Sequence, residues 1–169
     1  MTHRDEVQEL LERLKGMAPA GFAAAFHVDF IAPRYLFQTY DEAWMTYYSA
    51  EGLVRKDPAV RWGFENDGIA PWDELEARDS EGVFAKAAEH GLHHWAVVAT
   101  SEGGSKSMGA FSRGDRAFTD PEFANVFSLF GELHLLTRQG IEVDPEFGKM
   151  LEDLSVKLTH RDGTGQASD

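Results

Sequence analysis

Hydrophobic spacing divides the chain into alternating helical and extended segments. Between Asp5 and Gly16, DEVQELLERLKG, apolar residues recur at Val7, Leu10, Leu11 and Leu14 and acids lead the first turn. That is an amphipathic helix with one stripe to lay on a sheet. Ala18-Pro19-Ala20-Gly21 breaks it. FAAAFHVDFIAPRYLFQTY, residues 22–40, mixes apolar and aromatic residues without helical period and predicts one or two strands. Pro33, which cannot donate to a ladder, demotes the middle to an edge or a bend. DEAWMTYYSAEG, residues 41–52, has helical composition and stops at Gly52. Lys56-Asp57-Pro58 opens a short helix through about Phe64, and NDGIAPWDEL after it is rich in turn formers. Ser80 is expected to cap the helix SEGVFAKAAEHG, with Glu81 in its first turn and Gly91 as its stop. Trp95–Thr100 and Gly109–Ser112 are rich in β-formers, and EGGSK between them predicts a hairpin turn. Thr119-Asp120-Pro121-Glu122 starts a long helix with Phe123, Val126, Phe127, Phe130, Leu133 and Leu136 or Thr137 at helical spacing. It is expected to close the sheet or to form a dimer seam. PEFGKMLEDL, residues 145–154, predicts a second short helix, and the last fifteen residues form a polar tail.

Composition narrows the class. The 169 residues fit one domain, and 43% aliphatic and aromatic residues are enough for a core. A net charge of −13 argues against a nucleic-acid surface and against adhesion to anionic lipid. Cysteine is absent, which removes disulfides and thiolate metal sites and suits the cytoplasm, the expected location. The charged N-terminus does not read as a signal peptide, and no apolar run approaches the ~20 residues of a membrane span.

Candidate chemistry concentrates between Tyr40 and Trp72. If the helix covers both, Tyr40 and Trp44 share one face, with Tyr47 and Tyr48 a turn further on. Asp57-Pro58 and Pro71-Trp72 follow, so one carboxylate lies between two indoles in sequence. Each piece has an ordinary structural reading: a Tyr/Trp pair packs a core, Asp before Pro caps a helix, and Trp72 plugs a core edge. Together they make an apolar pocket with a few orienting polar groups, the anatomy of a small-molecule site. Phenol and indole donors suit carbonyl oxygens and a carboxylate suits an N–H, so the implied ligand carries an amide beside an ester or lactone. His90, His93 and His94 are spaced for a metal, but Gly91 interrupts the helix and no acidic partner repeats the pattern; no metal or cofactor is expected. GGSKS lacks the spacing of a phosphate loop, and none of the common hydrolase or dinucleotide motifs is present.

The joint spacing of Tyr40, Trp44, Asp57-Pro58 and Pro71-Trp72 resembles the autoinducer-binding domain of LuxR-family quorum-sensing regulators. The similarity continues through HGLHHWAVVATSEGGSKSMGAFS, residues 90–112, and covers roughly residues 5–155. It implies an α/β fold, an α-β-α sandwich of PAS/GAF-like type, with a mostly antiparallel sheet of about five strands and helices on both faces. It further implies a binding domain for an N-acyl homoserine lactone over residues 1–155, not an enzyme. Under this resemblance the Trp44 indole donates to the lactone carbonyl, Asp57 accepts from the amide N–H and Tyr40 donates to the amide carbonyl. Trp72 walls the lactone ring, Tyr48 lies beside the acyl chain, and Ser112 supplies a hydroxyl on the returning strand. Val83, Phe84 and Ala87 either line the lactone end or simply pack. Three departures stand out: Met45 where some members carry Arg, Ala59 where some carry a hydroxyl, and Trp95 or Ala96 near a position the family usually gives to Gly.

LTHRD, residues 158–162, resembles the opening of the helix-turn-helix domain that follows the sensor in full-length members. Residues 156–169 are therefore expected to be a remnant of the linker to a DNA-binding domain, so no direct contact with nucleic acid is expected. The implied partners are the autoinducer and either a second copy or a full-length LuxR-type regulator, which the chain would modulate or antagonise. Two other readings stay open: a lactone- or amide-processing enzyme, and a binder of some different small molecule.

Overall fold

Alternation along each strand decides which face of the sheet becomes the core and which receives the site. The computed structural model describes residues 3–29 and 32–142, together with 146, 148, 149, 151 and 152. Within them α1 (His3–Met17) leads into β1 (Gly21–Asp29) and β2 (Ala32–Gln38), so the extended segment after the first helix is two strands. Then come α2 (Glu42–Ala50), α3 (Pro58–Glu65), β3 (Gly68–Ile69), α4 (Trp72–Ala77) and α5 (Val83–Ala88). A hairpin of β4 (His94–Thr100) and β5 (Ser107–Arg113) precedes α6 (Asp120–Glu142). The sheet runs in the order β2-β1-β5-β4-β3 and every neighbouring pair is antiparallel. Pro33 sits on the edge strand β2, where a missing N–H donor costs least.

Register puts Phe22, Ala24 and Phe26 of β1 on the same face as Tyr35 and Phe37 of β2, Ala96 and Val98 of β4, and Phe111 of β5. On this face α1 lays its predicted stripe of Val7, Leu10, Leu11 and Leu14, and α6 adds Val126, Phe130 and Leu133. Phe130 stacks on Phe26 with ring centroids 5.1 Å apart and meets Phe111 edge-on at 6.4 Å. The opposite face carries Ala23, Ala25, Ala99 and Ala110 together with the larger Trp95, Val97 and Met108, and is covered by α2 to α5.

α6 starts where Thr119 predicts. The Thr119 hydroxyl accepts from Glu122 N at 3.3 Å and the Glu122 carboxylate accepts from Thr119 N at 2.8 Å, a reciprocal cap. Further along, buried His134 has Nε2 2.8 Å from the Glu102 carbonyl and Nδ1 2.7 Å from the Ser107 hydroxyl. A carbonyl only accepts, so Nε2 carries the proton and Ser107 donates. His27, at φ 58, places Nε2 2.9 Å from the Thr137 hydroxyl and so fastens β1 to α6.

Three elements differ from the sequence reading. Residues 66–75 contain more than turns: Gly68–Ile69 pairs with β4 as the fifth strand, and Trp72 opens α4. Ser80 does not cap α5. The helix begins at Val83, and the Asp79 carboxylate takes the Val83 and Phe84 N–H groups at 2.8 and 2.9 Å. A carboxylate four residues before the first apolar helical residue satisfies two orphan donors at once, one on each oxygen. Tyr40 lies before α2, which starts at Glu42, so Tyr40 and Trp44 do not share a helix face. The second short helix, residues 145–154, falls where only residues 146, 148, 149, 151 and 152 are described. Among these Leu151 is buried in the core and Glu152 lies 3.2 Å from Arg34. The boundary near 155 and the polar tail lie outside the described residues.

Candidate functional site: a carboxylate under an aromatic roof

α2 supplies the roof. Trp44, only 3% exposed, faces the sheet, and Tyr47 and Tyr48, three and four residues on, pack against it with centroids 6.1 and 5.6 Å away. His90, weighed in sequence only as a metal ligand, tilts against Trp44 at 5.2 Å and Tyr47 at 6.0 Å. It therefore belongs to this aromatic cluster. Among the described residues no group of three histidines and acids is placed to hold a metal.

Asp57 sits at the start of α3 as its N-cap, with Pro58 at the first helical position, as the local sequence predicts. Its Oδ1 accepts from Ala59 N at 2.9 Å and its Oδ2 from the Tyr48 hydroxyl at 2.7 Å. The residue keeps some exposure, but its carboxyl group is enclosed. Burial pushes the carboxyl above its ordinary value; the Tyr48 and Ala59 hydrogen bonds oppose this, and the nearby Asp79 charge reinforces it. Burial, then the Asp57 charge, also push the Tyr48 and Tyr40 phenols well above the usual range. Both phenols are therefore held as neutral hydroxyls.

Tyr40 is anchored from below. Gly21 has φ +123, and a Cβ there would stand 2.6 Å from Tyr40 Cδ1 and 3.0 Å from its Cα. The glycine thus permits both the turn into β1 and the approach of the ring. The Tyr40 hydroxyl donates to the Ala110 carbonyl at 3.1 Å. Gly21→Ala is expected to lower unfolding free energy by about 1–3 kcal/mol through strain and displacement of Tyr40, measured by urea denaturation.

Trp72 stands half-buried at the first position of α4 and packs on Phe84 of α5 at 4.7 Å. Phe84 touches Trp95 of β4 at 5.8 Å, and Trp95 meets Tyr40 edge-on at 6.4 Å. An open cleft of about 400 Å³ lies along this row, lined by Trp72, Phe84, Trp95, His93, Asp79 and Glu76 among others. Ser112 is fully buried on β5 between Gly21 and Trp95 in the register, and its hydroxyl donates to the His94 carbonyl at 3.0 Å. The structure thus brings Tyr40, Trp44, Tyr48 and Asp57 into one enclosed centre and sets Trp72 on the adjoining cleft. Ser112 is engaged with the backbone. Sequence reasoning missed Trp95, His90 and Asp79. Strict alternation along β4 would have put Trp95 with Val97 and Ala99 on the site face; the other two depend on where α5 begins and ends.

Three kinds of comparison bear on this arrangement. No curated protein matches the sequence. Among solved structures, SdiA in complex with octanoyl-rac-glycerol superposes with a TM-score of 0.59 at 17% identity, over 85% of this chain. The present chain spans 63% of the length of that one. The solution structure of residues 1–171 of Escherichia coli SdiA also gives 0.59, at 20% identity over 81% of this chain and 85% of that one. These likenesses establish the fold. A family profile described as "Autoinducer binding domain" matches residues 4–139, a span that runs from α1 into α6 and holds the whole enclosed centre with its cleft, and on that match the chain belongs to the autoinducer binding domain family.

Proposed function

We propose that the chain binds an N-acyl homoserine lactone between the sheet and α2 to α5, and binds it without turnover. The observation that carries this reading is the enclosed Asp57 carboxylate, compensated by a phenol and a backbone N–H with no cation in an ion pair to it among the described residues. Enclosing an anion without a counter-charge costs stability, and such groups concentrate at functional sites. A ligand amide N–H would complete its coordination. Trp44 is the donor for the lactone carbonyl, Trp72 walls the ring and Tyr48 stands between Asp57 and the acyl chain. Tyr40 reaches the amide carbonyl by exchanging its bond to Ala110. Ser112, its hydroxyl already engaged, contributes wall surface. The solved relative bound to octanoyl-rac-glycerol supports a site in this fold that takes an acyl chain with a polar head.

Among the described residues nothing beside Asp57 reads as an activated nucleophile, which favours binding over turnover. Both phenols near Asp57 are driven away from the phenolate, and no described group of metal ligands supplies a hydroxide. Location in the cytoplasm, and output through pairing with a second copy or with a full-length LuxR-type regulator, are part of the same proposal. Among the described residues no helix is long and apolar enough to cross a membrane.

The direct test is a thermal-shift series with acyl homoserine lactones of increasing chain length, using free fatty acids and hydrolysed lactones as controls. Binding of ligand to the folded state alone raises Tm by mass action. A shift that requires the intact lactone is expected; equal shifts with the hydrolysed compounds would discard the reading. Mass spectrometry of recovered ligand is expected to return it unchanged. Trp44→Phe keeps the ring and loses the N–H donor, and should weaken lactone binding by about 1–3 kcal/mol by calorimetry.

A further inference from the structure

We propose that the Tyr48 hydroxyl is the positioning group of the site: its bond to Asp57 Oδ2 aims the carboxyl and favours the anion, the form that accepts from a ligand N–H. This rests on the lactone reading of the site. The two oxygens of Asp57 are tied one each, Oδ1 to the Ala59 amide at 2.9 Å and Oδ2 to the Tyr48 hydroxyl at 2.7 Å. A carboxylate offers about four acceptor sites, so about two remain, and with both oxygens tied their directions are set. The Ala59 bond lies within the helix that Asp57 caps. The Tyr48 bond comes from another element, α2, which also carries Trp44, and the Tyr48 ring meets that indole edge-on at 5.6 Å. One hydroxyl therefore ties the acceptor at the start of α3 to the helix that bears the indole donor.

The surroundings of Asp57 give the hydroxyl its weight. Among the described residues no cation forms an ion pair with the carboxyl. Burial is the largest influence on it and favours the neutral acid, and the Tyr48 bond is the largest that opposes burial. The Ala59 and Val60 amides of α3 also favour the anion, while Asp79, ahead of α5, disfavours it. Tyr40 and Tyr48 are held as neutral phenols and do not titrate between acid and neutral pH. His90 packs on Trp44 and Tyr47 of the same roof. Once the Asp57 carboxyl takes up a proton its O–H is a donor, and it opposes the ligand N–H instead of accepting from it. Removing a hydrogen bond to the charged form lets that proton bind at higher pH. A site without the Tyr48 hydroxyl should therefore lose its ligand earlier as pH falls.

The experiment takes wild type and Tyr48→Phe, as full chains, through a series of pH values from acid to neutral. Carbon NMR follows the Asp57 carboxyl in the free protein, and calorimetry gives the affinity for N-octanoyl homoserine lactone. Phenylalanine keeps the ring against Trp44 and removes only the hydroxyl. The carboxyl is expected to titrate at higher pH in the variant than in wild type. The variant should also lose affinity first as pH falls, the ratio of the two affinities widening by about tenfold per pH unit at most. What His90 and Asp79 contribute alike to both proteins cancels in that ratio. Tyr48→Met, whose flexible side chain fills space without a hydroxyl, carries the test if the phenylalanine variant proves unfolded by circular dichroism. A carboxyl that titrates at the same pH in both proteins, or an affinity ratio constant with pH, overturns the positioning role; Tyr48 is then only a wall and the lactone reading stands. If no folded protein binds the lactone at any pH, the lactone reading falls and this inference falls with it.

Discussion

Asp57→Asn is expected to weaken lactone binding strongly while leaving the free protein as stable as wild type or more so. Asparagine is as good an N-cap as aspartate, and its carbonyl can keep the bond to Ala59 N. Its NH2 group then faces Tyr48, whose hydroxyl oxygen can accept. What is lost is the charged acceptor toward a ligand N–H, and an NH2 now opposes another donor. Affinity should fall by about 2–3 kcal/mol, roughly 30- to 150-fold by calorimetry.

The gain in the free protein follows from burial. Folding raises the Asp57 carboxyl above its ordinary value of 3.8, so the folded state holds the proton more tightly than the unfolded chain. Its contribution to stability is therefore present at low pH and is lost as pH rises from that value through the folded-state value. The advantage of Asp57→Asn over wild type should accordingly be absent below pH 3.8 and grow as pH rises above it, read from urea denaturation at a series of pH values. A variant that loses affinity together with its stability at neutral pH would make Asp57 a structural cap and nothing more.

Phe130→Ala is expected to be the most damaging single change to the fold. Its ring is fully buried, stacks on Phe26 and meets Phe111, and so ties α6 to the two central strands β1 and β5. Removing it costs about 3–5 kcal/mol through lost transfer energy and the cavity left behind. Against a typical total of about 5–15 kcal/mol, that leaves a marginal protein. Phe130 is on the face of the sheet opposite the enclosed centre, so the variant should still bind ligand when folded. Ligand at a hundredfold excess over Kd restores about 2.7 kcal/mol. The expected signature is a Tm drop on the order of 10 °C without lactone, much of it recovered with lactone.

Much of the architecture was legible from local patterns. The stripe of Val7, Leu10, Leu11 and Leu14 places α1 on the sheet, the Thr119/Glu122 pair starts α6, and Asp57-Pro58 starts α3, because each rests on contacts within one or two turns. The elements missed are those that local propensity does not stabilise. Gly68–Ile69 is a strand only because β4 offers its edge, and α5 starts at Val83 only because Asp79 reaches back to its first amides. Two-residue strands and six-residue helices gain little from their own sequence and nearly everything from what they pack on.

The site divides the same way. Residue identity and spacing were enough to nominate Tyr40, Trp44, Tyr48, Asp57 and Trp72 as one constellation and to suggest the chemistry of its ligand, since donors and acceptors are properties of side chains. Their grouping was not in the order of residues. Tyr48 spends its hydroxyl on Asp57, Tyr40 rests on Gly21 from outside the helix, Ser112 turns to His94, and Trp95 touches both Tyr40 and Phe84. Those outcomes depend on strand register and on which side chain wins a shared partner. Both are settled by contacts between residues far apart in sequence, which no local pattern records.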